Sequence, residues 1–201
     1  MTAVRQPRDR LGALAVTGRA AQWRVSDIDW DIEARPPRWL PRATLVGLLS
    51  QIYHGERATV RLCRALRPTF ADAAARACLD VQIADEARHA AVFGRYLERL
   101  GGPTAMDETL AATLDSAART DAGPEAAVVA YHVVLEGEAL DLQRIVRRWV
   151  PCPLLTPIVE RVVHDEARHI AFGRLFLSDR LGRLGADERS ALYREARALW
   201  L

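Results

Sequence analysis

The sequence of 201 residues contains no lysine, so all 28 of its basic residues are arginine. Against them stand 26 acids, and the formal charge is only +2. That near-balance gives no sign of a strongly basic nucleic-acid binder or an acidic tail. Aromatic residues are scarce at 6%, whereas about one residue in six is alanine, a bias toward helix over strand. Cysteine is confined to Cys63, Cys78 and Cys152, with no Cys-x-x-Cys pair, which excludes a zinc ribbon or rubredoxin-like module. Separated, unpaired thiols fit a reducing cytoplasm. No apolar run approaches the roughly 20 residues that span a bilayer. The stretch 11–16, interrupted by Gly12, is too short for a secretory signal. The expectation is a soluble, cytoplasmic protein with no membrane partner. What the chain does have is 50% hydrophobic residues, enough to exclude disorder and to bury one sizeable core.

Residues 1–40 read as an irregular arm, with Trp23, Trp30 and Trp39 beside Pro36, Pro37 and Pro41. The remainder, 41–201, reads as one helical body. Long helices are expected over 42–66, 71–100, 124–150 and 154–181, with short ones over 107–119 and 187–200. Their ends are marked by Pro68, by Gly101-Gly102-Pro103, by Gly123-Pro124 and by Pro151-Cys152-Pro153. No strand or hairpin signal competes. Four long helices with a long connection between the second and third describe an all-α, ferritin-like four-helix bundle with a crossover, extra short helices and an irregular N-terminal arm.

An internal repeat carries the chemistry. Residues 85–89 and 165–169 both read Asp-Glu-Ala-Arg-His, an offset of 80. A glutamate stands 30 residues before each ligand glutamate, Glu56 before Glu86 and Glu136 before Glu166. One Glu-x-x-His match would mean little in a chain of this composition, but two identical pentapeptides with matched upstream glutamates indicate a helical hairpin present twice. Residues three apart share a helix face, so Glu86 with His89, and Glu166 with His169, each present two side chains together. Glu136 and Glu166 lie nearly equidistant from the Pro151 break and so meet at one level of an antiparallel pair.

Four glutamates and two histidines therefore converge on one bundle core. Unpaired, six such groups would be very costly to bury. Two divalent cations carry +4 and cancel four carboxylates. Imidazole with carboxylate oxygen suits iron or manganese and leaves positions open for O2. One carboxylate and one Glu-x-x-His unit per metal is the pattern of dimetal carboxylate bundles.

On Gly55-Glu56, Leu135-Glu136-Gly137 and the two Asp-Glu-Ala-Arg-His motifs, the sequence resembles the ferritin-like di-iron oxidase and oxygenase superfamily, from about residue 42 to 181. The resemblance implies Glu56, Glu86, His89, Glu136, Glu166 and His169 as metal ligands, with Glu86 and Glu166 as bridges. It implies Asp85 with His169 and Asp165 with His89 as supporting pairs, with Arg88 and Arg168 balancing the aspartates. It also implies two iron ions, or manganese with iron, and O2 as cosubstrate. Expected partners are a small-molecule substrate, free or carrier-bound, an external ferredoxin or reductase, and a second copy in a homodimer. Bacterial secondary metabolism is the expected setting. Aryl-amine N-oxygenases of this superfamily carry a further histidine one turn before the last ligand glutamate, where this chain has Val162.

Three residues stay open as extra ligands or substrate contacts: His132, four before Glu136; Glu138, two after it; and Tyr53. Val60, Phe93, Val133, Leu140 and Val162, each about a turn from a ligand, are expected to shape an apolar substrate cavity. The leading function is O2-dependent oxidation of a small organic molecule by hydroxylation, N-oxygenation, desaturation or C–C cleavage. The alternatives are a ferroxidase or peroxidase of the bacterioferritin–rubrerythrin type and a tRNA-hydroxylase-like enzyme. With the buried motif residues set aside, 26 arginines face 20 acids, so a mildly basic exterior is expected, suited to an acidic electron donor.

Overall fold

The computed structural model describes residues 7–118 and 123–198. It contains α1 (Pro7–Ala20), α2 (Arg42–Leu66), α3 (Ala73–Glu98), α4 (Glu108–Ala118), α5 (Pro124–Val128), a π-helical segment (Val129–Leu135), α6 (Glu136–Trp149), α7 (Leu155–Leu181) and α8 (Ala186–Ala198). No strand occurs among the described residues. The architecture is all-α: α2 packs on α3, α6 on α7, and α3 on α7, which makes a ferritin-like bundle whose long crossover carries α4. The ends of the predicted 107–119 and 187–200 helices fall outside the described residues.

Local chemistry explains the boundaries. Asp72 caps α3 by accepting a hydrogen bond from the Ala74 N–H at 2.8 Å. Gly101 and Gly102 follow α3 at φ of 95° and 97°, the left-handed region that stops a helix at little cost to glycine. Glu56 lies 11 residues before Arg67 and Glu86 17 after Thr69, an unevenness absorbed between α2 and α3, where Arg67–Thr69 form a 3₁₀ turn and residues 70–72 are non-helical.

Two findings correct the sequence reading. The first concerns the arm, which is not irregular throughout. Residues Pro7–Ala20 form α1, which lies against α3 and α7. Leu11 and Ala15, one turn apart, are buried, while Gly18 lets the helix approach α3 closely. A Cβ at Gly18 would lie 2.8 Å from Val81 Cγ1. The two glycines and the arginines hide this helix from periodicity, because after Leu11 and Leu14 its packing face falls to Ala15 and Gly18. The second concerns the single helix expected over 124–150, which carries a π-helical stretch. Such segments insert an extra residue per turn and re-aim the side chains that follow.

The apolar core is divided in two. One cluster gathers Leu62, Leu66, Cys78, Phe172 and Phe176 with Leu11. The other gathers Leu45, Leu49, Phe93, Tyr96, Ile158 and Val162. On α2, α3 and α7, and on the run from α5 through the π segment to α6, the predicted ligands fall between these two clusters along the chain. The bundle is thus a polar layer held between two apolar plugs.

Candidate metal centre

Glu56 on α2, Glu86 and His89 on α3, Glu136 at the start of α6, and Glu166 and His169 on α7 are all buried, none more than 6% exposed. Their ligating atoms form two sets. Glu56, Glu86, His89 and Glu166 make one; Glu86, Glu136, Glu166 and His169 make the other; within each, one atom per residue lies within 4.8 Å of the rest. Glu86 and Glu166 belong to both sets, which is the place of a bridging carboxylate.

Each imidazole is held by its far nitrogen. His89 Nε2 lies 3.1 Å from Asp165 Oδ2, and His169 Nε2 lies 3.2 Å from Asp85 Oδ2, so each histidine is held by the aspartate of the other repeat. An aspartate there fixes the Nε2–H tautomer and turns Nδ1 toward the glutamates. His89 Nδ1 stands 3.3 Å from Glu56, and His169 Nδ1 stands 2.9 Å from Glu166. Arg88 and Arg168 each reach both Asp85 and Asp165, with side chains 9% and 11% exposed, so the four form a neutral, largely buried quartet.

The residues after α1 seal the histidine side. Gln22 donates to Asp85 Oδ1 at 2.7 Å, and the Trp23 indole N–H donates to Asp165 Oδ2 at 2.8 Å. The Trp23 ring lies near-parallel to His89, with centroids 6.4 Å apart, and beneath the Arg88 guanidinium at 4.5 Å. Two further glutamines pin the outer carboxylates. Gln82 Nε2 donates to Glu136 at 2.7 Å and to Glu86 at 3.2 Å. Gln143 Nε2 lies 3.3 Å from both Glu56 and Glu166. Sequence reasoning missed all four residues. The signal for Gln82 and Gln143 was present, since they lie four before Glu86 and seven after Glu136, on the ligand faces. Nothing local marked Gln22 or Trp23.

Of the open candidates, His132 belongs to neither ligand set. It is buried, its Nε2 meets Gln82 Oε1 at 3.0 Å, and its Nδ1 has no partner. Burial drives its pKa down to about 3, so the ring is neutral. Glu138 is exposed and outside both sets, but it lines the cavity described below. Tyr53 packs its ring against Gly94 and under the Arg57 guanidinium, away from both sets.

The protonation pattern tests whether cations fit. Burial, joined by Glu86, raises Glu56 and Glu136 well above the usual carboxylate range. Burial and Glu166 push Glu86 up, yet His169 and His89 outweigh them and bring it down to about 2. Burial opposes charge on His89 and His169, but the carboxylates around them outweigh it and hold both imidazoles protonated. Without metal the cluster therefore draws protons toward its outer glutamates and its imidazoles, which offsets buried negative charge. Two divalent ions would offset the four carboxylates instead, and the donor set is the oxygen and imidazole chemistry of iron and manganese.

On the carboxylate side a cavity of about 280 Å³ opens, walled by Ile52, Leu135 and Leu142 and covered by Leu110 and Leu114 of α4. Glu56, Glu86, Glu136 and Glu166 all contribute to its wall. The five apolar residues expected there do not. Phe93 and Val162 are buried in one apolar plug, and Val133 is 40% exposed on the outside of the π segment. Val60 and Leu140 also lie off the cavity wall. Helical spacing identifies a ligand face but does not say which gap between helices remains open.

Comparison with known proteins agrees with this geometry. Residues 62–197 match the family described as P-aminobenzoate N-oxygenase AurF. The chain belongs to the AurF family. It is a non-haem dimetal oxidoreductase, and its ferritin-like fold recurs in solved structures. An R2-like ligand-binding oxidase with an aerobically reconstituted Mn/Fe cofactor superposes with a TM-score of 0.72 at 17% identity, covering 94% of this chain and 75% of that one. A variant of such an oxidase with an anaerobically reconstituted Mn/Fe cofactor superposes with a TM-score of 0.65 at 18% identity, covering 94% and 84%. No curated protein matches the sequence. No helix is long and apolar enough to cross a membrane among the described residues.

Proposed function

We propose that the protein uses O2 to oxidise a small organic molecule held in the cavity beneath α4. One observation carries this reading: the four glutamates of the ligand sets are themselves part of the cavity wall. A molecule in the cavity therefore meets the carboxylate side of the centre directly, while Gln22 and Trp23 close the histidine side.

Glu56 and His89 would hold one metal, Glu136 and His169 the other, with Glu86 and Glu166 shared between them. Iron, or manganese with iron, would supply the O2 and redox chemistry when bound. The protein's own work is positional. Asp165 and Asp85 keep the Nε2 protons on the imidazoles, so Nδ1 is free to ligate. Arg88 and Arg168 keep both aspartates ionised. Gln143 and Gln82 each tie one oxygen of an outer glutamate and restrict its swing. Ile52, Leu135 and Leu142 keep the reacting side poor in water.

The reaction named for the family favours oxygen transfer to a substrate nitrogen over hydroxylation, desaturation or C–C cleavage. The reading includes an external ferredoxin or reductase as electron donor, a homodimer, and a cytoplasmic role in secondary metabolism.

The test is O2 uptake by protein produced with iron and manganese, with metal content measured alongside. The expected result is about two metals per chain and uptake that depends on an added organic substrate. Ala139→Phe, which fills the cavity wall, should abolish that dependence while metal content stays. Uptake driven by Fe²⁺ alone and indifferent to Ala139→Phe would replace this reading with a ferroxidase.

A further inference from the structure

His132 is fully buried in the π segment, and its one polar contact leads to the second ligand set. Its Nε2 meets Gln82 Oε1 at 3.0 Å, and Gln82 Nε2 reaches Glu136 at 2.7 Å and Glu86 at 3.2 Å. Elimination fixes the protons along this chain. As metal ligands Glu136 and Glu86 only accept, so Gln82 turns its NH₂ group to them and its oxygen to His132. An amide oxygen also only accepts, so His132 Nε2 carries the proton. Burial keeps the ring neutral, which leaves Nδ1 a lone pair with no partner. A phenyl ring would fill the same space without leaving a buried acceptor unpaired. Packing alone therefore does not account for an imidazole here.

The fold builds this relay on one side only. Gly173 of α7 lets the π segment come close, since a Cβ there would lie 2.7 Å from His132 Cβ. The Phe172 ring meets the imidazole edge to face at 4.9 Å and fixes its plane. At an offset of 80, His132 is matched by Ile52 and Gln82 by Val162, so the α2–α3 hairpin has no such relay. Glu56 is held differently. Gln143 Nε2 is shared at 3.3 Å between Glu56 and Glu166, and its own oxygen has no partner, so nothing holds that amide from behind. We propose that His132 is a positioning residue that acts through Gln82 to lock Glu136, so that the two metals are held unequally. One is held by a carboxylate fixed from behind, the other by Glu56, whose amide partner can turn. The inference rests on the two-metal reading and is independent of the substrate.

Mn²⁺ binding to the full-length protein, followed by calorimetry and EPR, tests it. His132→Phe should weaken one of the two bound ions by about 10-fold, the low end for a residue that orients a ligand from outside, and leave the other unchanged. His132→Gln, whose amide can donate where Nε2 does, should recover most of that loss. In Gln82→Met, itself weakened at the same ion, adding His132→Phe should change nothing further. Combined with Glu56→Ala, His132→Phe should still weaken the remaining ion; combined with Glu136→Ala it should not. Equal weakening of both ions, no recovery in His132→Gln, or an undiminished effect in Gln82→Met would make His132 a packing residue and overturn the inference. Should His132→Phe not fold, NMR of the histidine ring nitrogens in the native protein decides: the Nε2–H form is expected, and the Nδ1–H form would overturn the relay. Native protein that binds no Mn²⁺ would overturn the two-metal reading, and this inference with it.

Discussion

The α2–α3 hairpin and the hairpin made by the π segment, α6 and α7 are alike at the metals and unlike one turn away. At an offset of 80, Glu56, Asp85, Glu86, Arg88 and His89 are matched by Glu136, Asp165, Glu166, Arg168 and His169. At the same offset Gln82 is matched by Val162, Cys63 by Gln143, Ile52 by His132 and Phe93 by Gly173. Both outer glutamates still receive an amide N–H, but from glutamines at non-equivalent positions. One glutamine has its oxygen engaged by His132 and lies in the packed interior; the other has a free oxygen and lies on the cavity wall. Symmetry survives where two metals make the same demand. It is dropped where one flank must be solid and the other must admit a molecule.

The strongest way to break the comparison is to remove a shared ligand. Glu86→Ala and Glu166→Ala should each take metal content from about two per chain toward zero. Glu56→Ala and Glu136→Ala should each leave about one, since each serves one set. Elemental analysis decides it, and unequal losses between Glu86→Ala and Glu166→Ala would refute equivalence. Next come the crossed aspartates. Asp85→Asn should weaken the His169 metal and Asp165→Asn the His89 metal, each by roughly 10- to 100-fold, read from two-site metal titrations. A loss in the same repeat as the mutation would contradict the crossed pairing.

The unlike positions give smaller effects. A Cβ at Gly173 would lie 2.7 Å from His132 Cβ and 3.2 Å from its carbonyl oxygen, so the π segment itself must move. Gly173→Ala should cost about 1–3 kcal/mol in urea unfolding, the range of an overpacked core. Gly94→Ala meets only the Tyr53 ring edge at 3.1 Å, a side chain that can swing, and should cost less.

The smallest effect is one of pH, and both repeats share it. Glu56 and Glu136 have raised values, as do His89 and His169. Without metal, the folded state therefore holds more protons than the unfolded chain above pH 4.5 for the glutamates and above 6.5 for the histidines. Stability from these groups is lost as pH rises. Metal replaces those protons, so the melting-temperature gain on adding Mn²⁺ should grow from pH 6 to 8. A gain that shrinks with pH would contradict the upward direction of these four shifts.

Much of this was legible in sequence because helices declare themselves by period and punctuation. Arg42–Leu66 spans the residues expected for the first long helix, since proline flanks it on both sides. The repeat placed six ionisable side chains on inward faces. It also made Glu136 rather than Glu138 the equivalent of Glu56, and the structure sets Glu136 among the ligand atoms and Glu138 at the cavity rim. The rest depended on partners distant in the chain. Trp23 meets Asp165 across 142 positions, and nothing around residue 23 announces that contact. The apolar residues chosen for the cavity were chosen by spacing, and spacing is blind to where α4 lies.

By itself, then, the sequence determined the helices, the duplicated hairpin and the carboxylate–histidine chemistry, because each follows from residue type at short, regular separation. Tertiary structure alone decided that the N-terminal segment folds as α1 and seals the histidine side. It also decided that Gln82 and Gln143 pin the outer glutamates from non-equivalent positions and that the open space lies against the glutamates under α4. Those outcomes are set by how whole helices stack, and packing between distant segments leaves no periodic trace in the chain.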